Sequence, residues 1–256
     1  MSEDVVIEVR DLASRYGDTT ILEDISFQVN AGEIFVILGG SGSGKTTLLK
    51  SMIGLLRPYE GQVFIEGRDL FRATETEREE ILKTFGVLFQ GAALFSSMTL
   101  AENVALPIRE HTDLPLEAVD LIVRLKLYMV GLNGFEEHMP SELSGGMRKR
   151  AGLARAMALD PDILFFDEPS AGLDPVTSAS LDHLILRLRA TLNTTMVVVT
   201  HELPSIFTIA DRAIMLDSRK KTIIAEGTPE ELRDSSDNPW VRDFFMRRSH
   251  QAQATE

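Results

Sequence analysis

Cysteine is absent from this 256-residue sequence, and it holds only one tryptophan and three tyrosines. Without cysteine the chain can form neither a disulfide framework nor a cysteine-based zinc site, and a reducing compartment is its natural setting. Long apolar runs are missing too, since none approaches the roughly 18 to 20 residues that a helix needs to cross a bilayer. We therefore expect that the chain does not by itself form a path through a membrane.

Basic residues are scarce relative to acidic ones: 26 Lys and Arg against 39 Asp and Glu give a formal net charge of −13. Surfaces that bind nucleic acids carry clusters of Lys and Arg, so no nucleic-acid partner is expected. The first residues, MSEDVVIEVRD, include acids and lack the basic start and apolar core of a signal peptide. These features favour a cytoplasmic location.

A glycine-rich segment, GGSGSGKTT from Gly39 to Thr47, matches the phosphate-binding loop (P-loop) pattern G-x-x-x-x-G-K-[ST]. Backbone N–H groups of such a loop cradle phosphates, while Lys45 would reach the β- and γ-phosphates and Thr46 would meet Mg²⁺. A glycine-rich turn that binds nothing is the alternative, but the sequence predicts a buried strand before the segment and a helix after it, as the motif requires. The predicted phosphate-binding residues are Gly39, Ser41, Gly42, Ser43, Gly44, Lys45, Thr46 and Thr47.

Two acids, Asp167 and Glu168, follow the apolar strand ILFF. Open α/β sheets bind their ligands at the carboxyl ends of the strands, where these acids would lie. Asp167 is expected to hold Mg²⁺, and Glu168 to act as the general base toward the attacking water. A simple strand-to-turn boundary would look the same, but the P-loop upstream favours the catalytic interpretation.

The segment LSGGM, from Leu143 to Met147, lies between these two motifs. Ser144 is a good N-cap for a helix predicted from Gly145 to Leu159, and the glycines would let a phosphate approach the backbone closely. A capped helix with nothing bound fits the local sequence equally well. The position of the segment relative to the other motifs favours a phosphate-binding role.

The order and spacing of these motifs resemble those of the ATPase subunits of ABC transporters, and the resemblance covers nearly the whole chain. It implies ATP and Mg²⁺ as cofactors and gives roles to four more residues. These are Tyr16 as the aromatic that stacks on adenine, Gln90 as the glutamine that touches Mg²⁺ and the water, Asp174 in AGLDP as the D-loop aspartate, and His201 in VVVTHE as the histidine that contacts the γ-phosphate. Taken alone, a single aromatic residue is more often part of a core and a single histidine more often structural.

In that family, Ser144, Gly145 and Gly146 of one copy close over ATP held by the P-loop of the other copy. The resemblance therefore implies a homodimer with ATP between its subunits. Hydrolysis would replace ATP with a weaker ligand and let the dimer open.

The resemblance implies an α/β P-loop fold of ABC type: a parallel sheet core, an antiparallel β flank and an inserted helical subdomain at about residues 91–141. The apolar pattern predicts short strands between Val5 and Val29 and a strand at Gln62–Ile65 in the flank. The ABC ATPase domain is predicted at residues 1–234. The expected strands of the main sheet are Ile34–Leu38, Phe85–Phe89, Ile163–Phe166, Met196–Thr200 and Ala213–Leu216, and the other expected helices are Thr46–Leu56 and Leu116–Leu132.

The helical subdomain of this family carries the groove for an integral-membrane permease. We expect the permease to dock near Phe95–Asn103, FSSMTLAEN, and so to hold the chain at the cytoplasmic face of the inner membrane. An ordinary apolar loop that packs under the subdomain is the alternative.

Only a resemblance to one subgroup of these ATPases suggests what the transporter carries. The run FQGAALFSSMTLAENVALPIREHTDL and the methionine at position 147 are similar to the ATPases of Mla-type transporters, which move phospholipid with mammalian-cell-entry (MCE) domain proteins. Many solute importers have glutamines after the two glycines instead. A small-solute importer and a non-pumping membrane regulator remain alternatives.

The C-terminal tail, residues 235–256, offers Trp240, Phe244 and Phe245 at helical spacing, which predicts a short amphipathic helix. The helix could pack on its own domain, contact another subunit or bind a membrane surface.

Overall fold

Two sheets carry the fold of residues 5–247, the part of the chain that the computed structural model describes. The strands are β1 (Val5–Tyr16), β2 (Thr19–Asn30), β3 (Ile34–Gly39), β4 (Glu60–Ile65), β5 (Arg68–Asp69), β6 (Phe85–Leu88), β7 (Ile163–Asp167), β8 (Thr195–Val199), β9 (Arg212–Leu216) and β10 (Ile223–Gly227). The helices are α1 (Lys45–Met52), α2 (Glu75–Lys83), α3 (Leu100–His111), α4 (Leu116–Met129), α5 (Gly145–Ala156), α6 (Pro175–Leu192), α7 (Leu203–Ile209), α8 (Pro229–Asp234) and α9 (Pro239–Phe245). A 3₁₀ turn spans Pro140–Glu142.

The larger sheet has the strand order β10-β9-β3-β8-β7-β6, and all of its strands but β10 run parallel. Every residue of β3, β7 and β8 is buried, because helices and the second sheet cover both faces. The five predicted strands are present. The edge strand β10 was not predicted, because its sequence IIAEG is only partly buried and gives neither a long apolar run nor a regular alternation.

The smaller sheet is antiparallel, in the order β2-β1-β4-β5. The prediction of several short strands between Val5 and Val29 was wrong: β1 and β2 are 12 residues each and form one hairpin that turns at Gly17. Register shifts along β1 interrupt the apolar alternation, which makes a long strand look like several short ones.

Three helices end earlier than the apolar pattern predicts. Helix α1 ends at Met52 and α4 at Met129, and each is followed two residues later by a glycine with positive φ, Gly54 (76°) and Gly131 (74°). A left-handed glycine at this position is a common helix stop. Helix α5 ends at Ala156, before the turn at residues 157–160.

The helical subdomain contains α3 and α4, which pack on each other and on α5. Apolar residues of α3 and α4 belong to the same buried cluster as one face of the larger sheet. This continuity fixes the subdomain against the signature helix α5, which begins at LSGGM.

Asn103, at the end of the predicted docking segment, is fully buried. Its side-chain amide donates to the carbonyl oxygens of Phe95 (3.1 Å), Met98 (3.1 Å) and Thr99 (2.9 Å), and its Oδ1 accepts from the Phe95 N–H (2.8 Å). Asn103 therefore holds the loop before α3 from inside and is not available to a partner, whereas Phe95 is 49% exposed.

Replacing Asn103 by Ala is expected to lower the free energy of unfolding by about 2 kcal/mol, because buried backbone groups lose their partners. Urea denaturation measures the change. Ser97→Ala, at an exposed position of the same loop, is the control and should change stability by less than about 0.5 kcal/mol. Equal stability of the two variants would contradict the role given to Asn103.

The described part of the C-terminal tail contains helix α9, which packs on its own domain. Val241 and Phe245 are buried in the same cluster as the larger sheet, and the Phe245 ring lies 5.7 Å from that of Phe207. Trp240 and Phe244 pack against this cluster while partly exposed. The deepest contact is thus made by Val241 and Phe245, one helical turn apart; residues 248–256 of the predicted tail lie outside the described residues.

Candidate nucleotide site

The P-loop connects β3 to α1. Gly44 is the N-cap of α1 with φ of 95°, and a Cβ there would lie 2.6 Å from Leu22 Cδ2. A Cβ on Gly39 would lie 2.5 Å from the Leu216 carbonyl oxygen. These two positions accept only glycine, which lets the loop turn closely over the end of the sheet.

The predicted phosphate-binding residues Gly42 to Thr47 line one cavity of about 280 Å³, together with Ile21 of β2. The Lys45 ammonium donates to the carbonyl oxygens of Gly39 (2.8 Å) and Gly40 (3.2 Å), so it lies over the loop. Burial lowers the pKa of Lys45, and the carboxylates of Glu168 and Asp167 oppose that shift. The N-terminus of α1 and the Lys45 ammonium both line this cavity, and the two together favour the binding of phosphate.

Asp167 and Glu168 are both buried at the carboxyl end of β7. Asp167 Oδ1 and Glu168 Oε2 accept no hydrogen bond from the protein. Burial, followed by the nearby charge of Glu168, raises the pKa of Asp167, while Lys50, Lys149 and Lys45 oppose the shift. Buried carboxylate oxygens without a protein donor are suited to a cation or a bound water.

His201 and Glu168 are brought together by the strand order. His201 follows β8, the neighbour of β7, so both residues lie at the same edge of the sheet. His201 Nδ1 lies 2.8 Å from Glu168 Oε1 and forms a hydrogen bond with it. The sequence predicted both residues as catalytic, and the fold places them in direct contact.

The signature segment begins α5 as predicted. Ser144 is the exposed N-cap, and its Oγ accepts from the Met147 N–H at 3.2 Å. Gly146 is buried, and a Cβ there would lie 2.5 Å from Thr177 Cγ2 of α6. Helix α5 packs on α3, α4, α6 and β6, whereas α1 packs on β1, β3, β7 and β8. The two candidate phosphate-binding helix ends are therefore supported by different elements.

Asp174 is the N-cap of α6. Its carboxylate accepts from the N–H groups of Val176 (3.0 Å) and Thr177 (3.1 Å) and from the Thr177 hydroxyl. These hydrogen bonds, with Thr177 contributing most, lower the pKa of Asp174. The predicted D-loop aspartate thus has a helix-capping role within its own chain.

Tyr16 and Gln90 each lie at the end of a strand, where the chain turns. Tyr16 ends β1 and is 50% exposed. Gln90 is exposed just after β6, the strand beside β7. Neither position is buried, so both side chains remain accessible to a ligand.

Lys149 is a residue of the site that the sequence did not single out. It is only 6% exposed, and its ammonium donates to the backbone carbonyl oxygens of Gln90 and Glu168. The basic run Arg148 to Arg150 looks like a solvated face. The helical spacing of Lys149 from Gly146 and Leu153, which are both buried, is the signal that would have revealed it.

Comparison with known proteins agrees with this geometry. Residues 22–171, which include the P-loop, LSGGM and the two acids, match the family described as ABC transporter. The chain belongs to the ABC transporter family. It is an ATPase whose hydrolysis of ATP is coupled to transport.

Two relatives and one solved structure illustrate the family. The chain is 47% identical over 232 residues to the "Intermembrane phospholipid transport system ATP-binding protein MlaF" of Haemophilus influenzae, covering 91% of this chain and 87% of that protein. It is also 47% identical over 244 residues to the "Probable ribonucleotide transport ATP-binding protein mkl" of Mycobacterium leprae, covering 95% of this chain and 70% of that protein. A dimeric post-hydrolysis structure of the ATP-binding cassette MJ0796 with ADP and Pi superimposes with a TM-score of 0.78 and 29% identity, over 87% of this chain and 98% of that one.

The ABC ATPase fold expected from the sequence is confirmed by these comparisons. No helix within residues 5–247 is long and apolar enough to span a membrane.

Proposed function

We propose that this ABC ATPase works as a homodimer that binds ATP between its two copies and drives a permease that moves phospholipid between membranes with MCE-domain partners. The main support for the dimer is that the two kinds of phosphate-binding segment lie on different parts of the fold. The P-loop and the two acids lie at one edge of the larger sheet, while Ser144 begins helix α5, which packs mainly on other elements. An exposed N-cap and a partly exposed Gly145 leave this helix end accessible to a second copy.

Ser144→Arg is expected to leave ATP binding to a single copy intact and to abolish the ATP-dependent dimer. The long cationic side chain would occupy the space that the phosphate of the partner's ATP needs. Sedimentation velocity with and without ATP measures the dimer, and fluorescent-nucleotide titration measures binding. Thr76→Arg, at an exposed position of the first turn of α2, is the control and should dimerise normally. A Ser144→Arg protein that still dimerises with ATP would contradict the shared site.

The residues at the sheet edge fit Mg²⁺ bound together with a nucleotide. Among the described residues, no group of three or more His, Cys, Asp or Glu could hold a metal alone. Mg²⁺ typically uses one or two carboxylates and substrate phosphates, and the unpaired Asp167 Oδ1 is such an oxygen. Thr46, Asp167 and Gln90 would hold it. The ion would neutralise charge on the phosphates.

Glu168 is assigned the role of general base. Its unpaired Oε2 is free to accept a proton from water, while its Oε1 is held by His201. His201, 56% exposed in its side chain, can keep this contact and still reach a γ-phosphate. Lys45 would exchange its carbonyl partners for phosphate oxygens, Asp174 would face the partner subunit, and Tyr16 would stack on adenine.

The docking surface for the permease lies around Phe95 and a neighbouring cavity. This cavity, of about 220 Å³, is lined by β6, by Pro107 and His111 of α3, by the end of α5 and the segment after it, and by Leu82 of α2. Arg155 borders it, donates to the Ala93 carbonyl oxygen at 2.7 Å, and places its guanidinium carbon 5.9 Å from the Phe95 ring. A permease helix seated here would contact both the subdomain and the sheet. It would also hold the chain at the cytoplasmic face of the inner membrane.

Phospholipid is the proposed cargo, because the chain is 47% identical to MlaF and spans 87% of its length. The mkl relative has the same identity over 70% of its length, and its name gives ribonucleotides as cargo. The ATPase itself would not contact cargo in either system. The cargo therefore has to be identified through the proteins that bind this chain.

Copurification tests the cargo and partners. The tagged Glu168→Gln protein is isolated from detergent-solubilised membranes with ATP, and bound proteins and lipids are identified by mass spectrometry. A permease with an MCE-domain protein and phospholipid would support the proposal. A solute permease with a binding protein would replace it with an importer, and the absence of any permease would favour a regulator.

A further inference from the structure

The loop after β6 has an unusual backbone. We name residues 89–93 the Gln90 loop. Its last two residues, Ala92 and Ala93, have φ of 60° and 51°. Consecutive left-handed residues other than glycine are strained and persist only when their surroundings hold them in place.

The signature helix α5 holds this loop at both ends. The Lys149 ammonium donates to the Gln90 carbonyl oxygen, and the Arg155 guanidinium donates to those of Ala92 (3.2 Å) and Ala93 (2.7 Å). Between these two cations lies Gly152, where a Cβ would come within 3.0 Å of the Ala92 carbonyl oxygen. The loop is therefore packed directly on α5 and bonded to it.

Lys149 also reaches the acid that follows β7. Its ammonium donates to the Glu168 carbonyl oxygen at 3.2 Å. Glu168 has φ of 47°, again outside the usual range for a residue other than glycine, and its N–H donates to the Val199 carbonyl oxygen at 2.8 Å. The Lys149 ammonium is thus bonded to two segments with strained backbone, the Gln90 loop and Glu168.

The environment of Lys149 is unusual for a buried lysine. A buried cation costs free energy unless its donors are satisfied, and here two of its three N–H donors are directed at carbonyl oxygens of different chain segments. By contrast, the buried Lys126 of α4 pairs with the carboxylate of Asp160. Lys149 is therefore placed to connect segments rather than to neutralise one acid.

We infer that Lys149 is a positioning residue that sets the Gln90 loop and the Glu168 backbone at a fixed distance from the signature helix. A shift of α5 would then move Gln90 and Glu168 together. This inference rests on the proposed roles of those two residues in hydrolysis.

Lys149→Met keeps the length and apolar stem of the side chain but removes its donors. It is expected to lower kcat for ATP hydrolysis by about tenfold or more and to change KM by less than about twofold, because positioning for the chemical step is lost while ATP binding is kept. Lys149→Arg retains a charge and donors and should recover most of the activity. If Lys149→Met does not fold, Lys149→Leu, which is also apolar and has no donors, takes its place.

Lys126→Met is the matched control, because it also removes a buried lysine, from helix α4, which packs on α5. It should lower stability without changing kcat. A comparable fall in kcat for both variants would show that the effect comes from lost stability, and would overturn the inference.

Hydrogen exchange of the nucleotide-free protein separates positioning from catalysis. In Lys149→Met, the rate of amide exchange should rise in residues 89–93 and 167–171. In Lys126→Met, the exchange rate of these two segments should equal that of the wild type. Unchanged exchange in these two segments, or an unchanged kcat, would overturn the inference. Because exchange is measured without ATP, it tests whether Lys149 holds these two segments in place, even if hydrolysis measurements refute the role of Glu168.

Discussion

Replacing Glu168 by Gln is expected to lower kcat for ATP hydrolysis by about 10²- to 10⁴-fold, the usual contribution of a general base. The amide has the shape of the carboxylate but cannot accept the proton from the attacking water. His201 can keep a hydrogen bond to the remaining carbonyl oxygen, and Lys45 with the P-loop is unchanged, so ATP affinity should be preserved. The variant should therefore accumulate with ATP bound.

Steady-state turnover and equilibrium binding of labelled ATP measure the two halves of this prediction. Glu79→Gln, on an exposed face of α2, removes the same charge away from the site and should hydrolyse ATP normally. A normal hydrolysis rate in Glu168→Gln would refute its assignment as the base. Loss of ATP binding would show instead that the carboxylate holds the nucleotide.

Replacing Lys45 by Ala is expected to abolish ATP binding at micromolar nucleotide, with Kd raised by about 10²-fold or more. The ammonium lies over the P-loop, where it is bonded to the carbonyl oxygens of Gly39 and Gly40. Its removal leaves the β- and γ-phosphates without their nearest cation. It also leaves carbonyl oxygens facing negatively charged phosphate, which adds to the loss.

Isothermal titration with ATP measures the affinity of Lys45→Ala. Lys83→Ala, at the exposed end of α2, controls for the loss of one positive charge and should bind as the wild type does. Tight ATP binding by Lys45→Ala would refute the role given to this lysine.

Local patterns predicted the parts of the site that depend on short segments. The P-loop, the acids at the carboxyl end of β7 and the N-cap Ser144 each need only a few consecutive residues, and each lies on the expected element. The contact between His201 and Glu168 depends on β8 lying beside β7, a strand order that was not predicted from the sequence. Their roles in hydrolysis stay predictions.

Features set by distant contacts were harder to predict. The burial of Lys149 depends on the Gln90 and Glu168 carbonyl oxygens, which are 59 and 19 residues away in sequence. The partly buried edge strand β10 depends on its pairing with β9. Asn103 is buried because its side chain forms hydrogen bonds with the backbone of the loop before α3. A single sequence shows the residue types at these positions but not the partners that give them their environment.

Mixing two inactive variants tests the central claim, that each ATP site is built from two copies. In a mixed dimer of Lys45→Ala and Ser144→Arg, one site combines an intact Lys45 with an intact Ser144, and the other site carries both changes. We expect that each variant alone hydrolyses no ATP and that the mixture regains hydrolysis. A mixture no more active than the sum of its components would contradict the shared site.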